Sequence, residues 1–381
     1  MNPNPTVGRI IQIDAARGLV MLFSCLSHFA WWIHATYPDA GDALGAMGMV
    51  ATPTFLLISG AMAGLLSTGA PSGRNKLKSQ LFNRGLFLLT VGHVLISLAE
   101  AHRIGGVVHA LGASSVVDVI GLCTLIASLS LRHIADARIC NAAASLAAVV
   151  LVVAWAFDII WHPQLFDLLA VDKVLIAGDI GNTTRWLYTA PTLQYMAVYV
   201  LGLPIGHQLR RYVAGELSAT DIAGKLLRMG LALIAIACTL RLARPLAETY
   251  WPSLLREITA TLSATQKMPP SPVYLMFFGG SGLTLIACLI RVWQAAHPVG
   301  RALIQWLEPI GRASLFIFIF QYFLYWTLPD LLGIEPGPLA GLYFAANVAV
   351  VHYAAVLWLR LGGNRWMTFG ITFGNLQTQR R

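Results

Sequence analysis

An arginine and a histidine lie eleven residues apart in an otherwise apolar stretch near the start of the chain, as Arg17 and His28. At about 100° per residue, eleven residues make close to three helical turns, so both side chains face one side of a helix, about 16 Å apart along its axis. Ser24 lies on the same face, and Asp14 lies one turn before Arg17, where the two could form an ion pair. Ionisable residues at membrane depth are costly and indicate function.

This spacing suits a long ligand with an anionic part at one end and a reactive group at the other. Coenzyme A thioesters fit that description, with phosphates, an extended pantetheine arm and an acyl thioester at the tip. Acyl transfer to a hydroxyl or amine needs a base for the acceptor's proton, and histidine suits that task near neutral pH. The residues alone leave two interpretations open: an acyl-CoA site, or a structural Asp14–Arg17 ion pair with an unrelated His28.

The composition of the chain predicts an all-α polytopic membrane protein. Of its 381 residues 57% are hydrophobic and 11% charged, with a mean hydropathy of +0.67, whereas soluble domains carry roughly 25% charged residues. Apolar stretches of about 20 residues, enough to cross a membrane as helices, recur along the chain. We expect a single membrane-embedded domain over residues 1–381 with about ten transmembrane helices. Their predicted positions are 13–36, 47–67, 82–100, 113–131, 141–161, 186–208, 226–245, 271–291, 304–328 and 339–359.

The distribution of positive charge predicts the topology. If both termini are cytoplasmic, 18 of the 26 lysine and arginine residues lie on the cytoplasmic side, as the positive-inside rule requires. The net charge of +9 then reflects topology and some attraction to anionic lipid headgroups. We therefore expect a multi-pass protein of a bacterial inner (cytoplasmic) membrane, with the lipid bilayer as a partner and no nucleic-acid partner. A homodimer stays open.

Several polar residues admit other interpretations. The five cysteines lack CxxC spacing, so neither a disulfide framework nor a metal site is expected. Cys25, one turn from His28, could accept the acyl group in a covalent route. Asp39 and Asp42 in the first outer loop are candidate metal ligands for a lipid-sugar-dependent glycosyltransferase. A solute transporter is the main alternative class, although the inverted repeats typical of transporters are not evident.

Motifs along most of the chain resemble one family. They are "IDAARGLVMLFSCLSH" (13–28), "TPTFLLISGAMAGLL" (52–66), "NRGLFLLTVG" (83–92), "VVDVIGL" (116–122), "QKMPPSPVYLMFFGG" (266–280) and "GRASLFIFIFQYFLY" (311–325). The chain is thereby similar to the transmembrane acyltransferase superfamily, and in particular to its branch of heparan-alpha-glucosaminide N-acetyltransferase-like and YeiB-like proteins.

The resemblance implies transfer of an acyl group, expected to be acetyl, from cytoplasmic acetyl-CoA or another acyl-CoA to a hydroxyl or amine of a sugar or glycan on the far side, without a metal. His28 would be the general base, with Asp118 and Gln321 as polar partners that orient it or the acceptor. Some relatives carry histidine where this chain has Gln321, and others carry asparagine where it has His28. His34 is a second possible base.

On the donor side, the resemblance implies that Arg17 binds the anionic part of the cofactor. The residues expected to help it are Asp14, Ser24, Arg84 and Arg312. Arg84 could equally be an ordinary positive-inside residue, and Arg312 could be a phosphate contact or a structural clamp. The outer loops 162–185 and 246–270 are expected to shape the acceptor site. Three further histidines in predicted spans are interpreted as hydrogen-bonded interior residues without a catalytic role, and they are His93, His207 and His352.

Overall fold

The computed structural model describes residues 9–69, 71–102, 106–112, 115–161, 191–250, 267, 270–295 and 297–369. Within these ranges the chain is predominantly helical and contains no β-strand. Almost all of the two predicted outer loops, 162–185 and 246–270, lies outside the described residues.

The helices follow one another with short connections. In the first half of the described chain they are α1 (Ile11–His34), α2 (Pro38–Gly48), α3 (Ala51–Ser67), α4 (Pro71–Phe87), α5 (His93–Glu100), α6 (Val107–Leu111), α7 (Val116–Leu129), α8 (Leu131–Ile134) and α9 (Ala137–Trp161). In the second half they are α10 (Thr192–Val213), α11 (Ala219–Tyr250), α12 (Pro272–Gln294), α13 (Pro298–Arg312), α14 (Ser314–Tyr322), α15 (Leu328–Leu332) and α16 (Ala340–Arg360). Short π-helical segments, Leu88–Gly92 and Phe323–Thr327, join α4 to α5 and α14 to α15.

These helices confirm an all-α polytopic membrane protein. Eight helical segments of the described chain are long and apolar enough to cross a membrane. Two more of the ten predicted spans, 113–131 and 186–208, correspond to α7 and α10. Exposed leucine and valine side chains on α9, α11 and α16 are consistent with surfaces that face lipid.

The predicted span at 304–328 is wrong in one respect, because a break at Ala313 divides it between α13 and α14. The carboxyl-terminal end of α13 packs against the start of α1, where Gly18 and Gly311 allow the two backbones to touch. A Cβ atom at Gly18 would overlap the carbonyl oxygen of Leu307, so larger residues would separate the helices. The chain then turns, and α14 runs parallel to α1.

Helix α1 lies at the centre of the bundle. It contacts α2, α3, α12, α13, α14 and α16. Ala15, Ala16, Val20 and Cys25 on this helix are completely buried. The predicted span with the most ionisable residues is therefore an interior helix, which explains how its ionisable side chains can find partners.

Two pairs of glycines hold α3 against α10. Gly60 and Gly64 on α3 face Gly202 and Gly206 on α10, each pair with the small-xxx-small spacing that lets membrane helices approach closely. A Cβ atom at any of the four would overlap a backbone carbonyl oxygen of the opposite helix. This close contact fixes α10 beside the helices that carry the site.

We expect Gly60→Val to destabilise the protein, because its side chain would force α3 and α10 apart. Overpacking of a close contact costs about 1–3 kcal/mol, which would appear as a lower midpoint of thermal unfolding in detergent. Gly224→Val is the matched control, since a Cβ at this helical glycine meets nothing within 4 Å. Equal midpoints for the two variants would contradict the close contact.

Candidate functional site

The guanidinium of Arg17 is held between α1 and α14. Its Nη2 donates a hydrogen bond to Oγ of Ser314 at 2.6 Å, and Nη1 lies 3.9 Å from Oδ1 of Asp14. Only 14% of the Arg17 side chain is exposed, and its guanidinium lies 5.9 Å from the centre of the Phe55 ring. A cation enclosed in this way needs these partners, since an unpaired buried charge is costly.

The face of α1 that carries Arg17, Ser24 and His28, the α1 stripe, packs against α14 and the π-helical segment that follows it. Nε2 of Gln321 donates to Oγ of Ser24 at 2.8 Å. One turn further along α1, the His28 ring packs against Tyr322 and Trp326, with ring centroids 4.6 Å and 4.8 Å away. The Arg17, Ser24 and His28 side chains therefore all face the segment that begins with Ser314, as the spacing predicted.

A network of charges surrounds the start of α1. Asp14 accepts a hydrogen bond from Nε of Arg9 at 2.6 Å, so it has two arginine neighbours. Arg312 donates to Oε1 of Glu308 at 3.2 Å, and the Arg312 carbonyl accepts a hydrogen bond from Asn364. Of the two interpretations left open for Arg312, these contacts favour the structural clamp.

Arg84, from the end of α4, lies within electrostatic range of Arg17 and Tyr199. In the part of the chain that the structure describes, its guanidinium forms neither a hydrogen bond nor an ion pair. Two arginines therefore approach one another with a single carboxylate, Asp14, beside the first. An excess of buried positive charge is typical of a site for an anionic ligand.

Asp118 was expected to orient His28 or the acceptor, and in the structure its carboxylate pairs with His93 instead of His28. Oδ1 of Asp118 lies 3.0 Å from Nδ1 of His93, and Oδ2 accepts hydrogen bonds from the backbone and hydroxyl of Ser115 at the start of α7. Nε2 of His93 lies 3.0 Å from the carbonyl oxygen of Leu111. Both ring nitrogens thus face acceptors, so a doubly protonated His93 satisfies both.

The alternatives to His28 have different surroundings. His34, at the end of α1, has its Nδ1 3.3 Å from Oδ1 of Asp42, and both side chains are more than half exposed. Cys25 is fully buried, with no surface open to solvent. Compared with His34 and Cys25, His28 is partly buried and also lies on the same face of α1 as Arg17.

A second polar cluster lies beside the end of α2, where Gly48 touches Ser27 of α1. The Tyr274 hydroxyl donates to the carbonyl of Met49 at 3.3 Å, and the Tyr195 hydroxyl donates to the carbonyl of Lys267 at 3.3 Å. Burial lowers the pKa of the Lys267 ammonium group. This cluster therefore places a buried lysine, whose ammonium group holds its proton less tightly than usual, in the connection before α12.

Comparison with known proteins decides the family. A family model described as an acyltransferase domain matches residues 10–361. The chain belongs to that acyltransferase family. No curated protein matches this acyltransferase. The match spans all the helices of the site and, together with the apolar helices, identifies a multi-pass membrane acyltransferase.

Sequence reasoning missed three residues of this acyltransferase that the structure brings to the site, namely Ser314, Tyr322 and Trp326. All three lie in or next to the quoted motif "GRASLFIFIFQYFLY", so the motif indicated the segment without specifying its contacts. His93 was interpreted as a hydrogen-bonded interior histidine, and its contacts with Asp118 and the Leu111 carbonyl agree with that interpretation. Its partner Asp118 also completes the Ser115-x-x-Asp118 capping box at the start of α7.

We expect the His93–Asp118 pair to stabilise the fold. Asp118→Asn and His93→Gln should each lower the free energy of unfolding, by about 1–3 kcal/mol, because each leaves a partly buried charged partner without its counter-charge. The double variant should lose less than the sum of the two single losses. Chemical denaturation of the purified protein measures this, and strictly additive losses would contradict the pairing.

Proposed function

We propose that this membrane acyltransferase transfers an acyl group, expected to be acetyl, from cytoplasmic acyl-CoA to a hydroxyl or amine of a sugar or glycan at the opposite face. The observation that carries the proposal is the aligned face of α1, on which Arg17, Ser24 and His28 meet α14 and the π-helical segment after it. An anion-binding group and a potential base thereby lie about 16 Å apart along one helix.

The donor's phosphates would bind at the Arg17 end. Arg17 and Arg84 provide two guanidinium groups, which recognise phosphate oxygens through paired hydrogen bonds. Arg84 is the better placed to receive a new partner, because Arg17 already bonds Ser314 and lies beside Asp14. Electrostatic repulsion between the two arginines would fall when the phosphates bind.

The pantetheine arm would then follow the stripe past Gln321. The Oε1 atom of Gln321 is buried and accepts no hydrogen bond from any described residue, while its Nε2 is fixed by Ser24. Buried polar atoms without a partner are rare in native proteins. The arm has amide N–H groups, and one of them would satisfy this acceptor.

His28 would act as the general base at the tip of the arm. It takes the proton from the acceptor's hydroxyl or amine while that group attacks the thioester carbonyl, and the carbon–sulfur bond breaks as coenzyme A leaves as the thiolate, which recovers a proton from His28. Tyr322 and Trp326 pack against the imidazole ring and against each other, which would hold the ring in place. Direct transfer through His28 makes a covalent intermediate on the buried Cys25 unnecessary.

The aromatic rings around His28 support an acceptor that reaches it from the His34 side. Trp31, Tyr322 and Trp326, which have polar tips, pack beside this end of α1, and such side chains offer both an apolar face and a hydrogen-bond donor. Membership of an acyltransferase family does not favour the transporter alternative.

We expect Arg17→Ala to weaken the binding of acetyl-CoA, and His28→Ala to leave binding unchanged while lowering the transfer rate by about 10²–10⁴-fold, the usual contribution of a general base. Calorimetry with purified protein measures acetyl-CoA binding. Radiolabelled acetyl-CoA offered with glucosamine or glucose in proteoliposomes measures transfer.

Matched controls are Arg301→Ala, an arginine that packs against Trp293, and His133→Ala, an exposed histidine on α8. Both should behave as wild type. Equal loss of binding in the Arg17 and His28 variants would contradict the division of roles. A wild-type protein that neither binds acetyl-CoA nor hydrolyses it slowly would overturn the donor assignment.

We expect Gln321→Leu to raise the KM for acetyl-CoA about 5–30-fold, since a lost hydrogen bond of about 1–2 kcal/mol corresponds to that factor. Ser24→Ala is the comparison, because it releases the Gln321 amide without removing its Oε1. Steady-state kinetics should show a smaller effect for Ser24→Ala. A larger effect for Ser24→Ala would show that the hydroxyl, not the amide oxygen, meets the donor.

A further inference from the structure

A basic cavity lies between α4, α7 and α8, away from the stripe on α1. It has a volume of about 290 Å³, close to the lower limit of about 300 Å³ for small-molecule sites. Three cations line it, Arg74 and Lys78 from α4 and Arg132 from α8. Asn75 and Ser128 add polar groups to its wall.

The positive charge of this cavity is not neutralised by the residues that the structure describes. No carboxylate lines the cavity, and within the described ranges none of its three cations forms an ion pair. The Nε atom of Arg74 is buried and has no hydrogen-bond partner among the described residues. The nearest acidic residue in sequence, Asp136, accepts a hydrogen bond from the backbone of Arg138. The described residues therefore give the cavity an excess of positive charge.

An apolar strip continues from the cavity along the same two helices. On α4, Phe82 follows Lys78 by four residues and Leu86 follows by eight, so they succeed it along one row of the helix surface. Each of the two is 39% exposed, and on α7 Leu129, itself part of the cavity wall, is 61% exposed. Gly85, between Phe82 and Leu86 in sequence, brings α4 close to α7.

We propose that this cavity binds the phosphate of an anionic phospholipid, with an acyl chain lying along the Phe82–Leu86 strip. Charge complementarity identifies the headgroup, because three cations without an ion pair among the described residues line one cavity. The apolar strip distinguishes a lipid from a free phosphate or a nucleotide, neither of which would cover exposed phenylalanine and leucine side chains. The site is separate from the proposed donor site at Arg17 and Arg84.

The experiment titrates purified full-length protein in neutral detergent with phosphatidylglycerol and follows bound lipid by native mass spectrometry. Arg74→Gln combined with Lys78→Gln should weaken binding about 30-fold, since each cation near a membrane surface contributes about a factor of five to anionic lipid binding. The control, Arg291→Gln combined with Arg301→Gln, removes two cations from α12 and α13, outside the cavity wall, and should bind as wild type.

Further ligands distinguish a lipid phosphate from a free phosphate or a nucleotide. Phosphatidylcholine, inorganic phosphate and adenosine 3′,5′-bisphosphate should neither bind at the cavity nor displace phosphatidylglycerol. Phe82→Gln should weaken phosphatidylglycerol binding without changing acetyl-CoA binding. Equal phosphatidylglycerol binding by the cavity variant and the control would overturn the proposal. Displacement by the bisphosphate would overturn it in favour of a nucleotide site.

Discussion

The enclosure of the Arg17 guanidinium is the constraint on which the arrangement of the bundle depends. A cation inside an apolar bundle costs several kcal/mol unless it is paired and hydrogen-bonded. Asp14, on the same helix, supplies a counter-charge at 3.9 Å, which is too long for a strong hydrogen bond. Ser314 supplies the short bond at 2.6 Å. Ser314 is the first residue of α14 and directly follows the break at Ala313, so this bond fixes the start of α14 beside α1.

The register between α1 and α14 follows from the same contact. Once α14 begins beside Arg17 and runs parallel to α1, equal helical rise brings Gln321 to the level of Ser24, since each lies seven residues further along. The next turn brings Tyr322 and Trp326 to His28. The three contacts of the stripe are therefore consequences of one parallel register.

Features set within one helix were predicted well from the sequence, whereas contacts set by the packing of two helices were predicted poorly. The prediction of α1 at 13–36 differs from the observed Ile11–His34 by two residues at each end, and the shared face of Arg17 and His28 follows from helical periodicity alone. The break at Ala313, four residues after Pro309, was missed, and it falls where α13 packs against α1. The pairing of Asp118 with His93 was missed as well, because it depends on how α5 and α7 pack.

Helix α4 carries cations on two different faces, with Lys78 on one and Arg84 on the other. Lys78 and Arg84 are six residues apart, which at about 100° per residue places them about 120° apart around the helix and about 9 Å apart along it. One face is directed to the basic cavity with α7 and α8, and the other to Arg17 in the interior. At physiological ionic strength the Debye length is about 8 Å, although screening is weaker inside a protein. An anion bound at one face would therefore reduce the positive potential at the other face without occupying it.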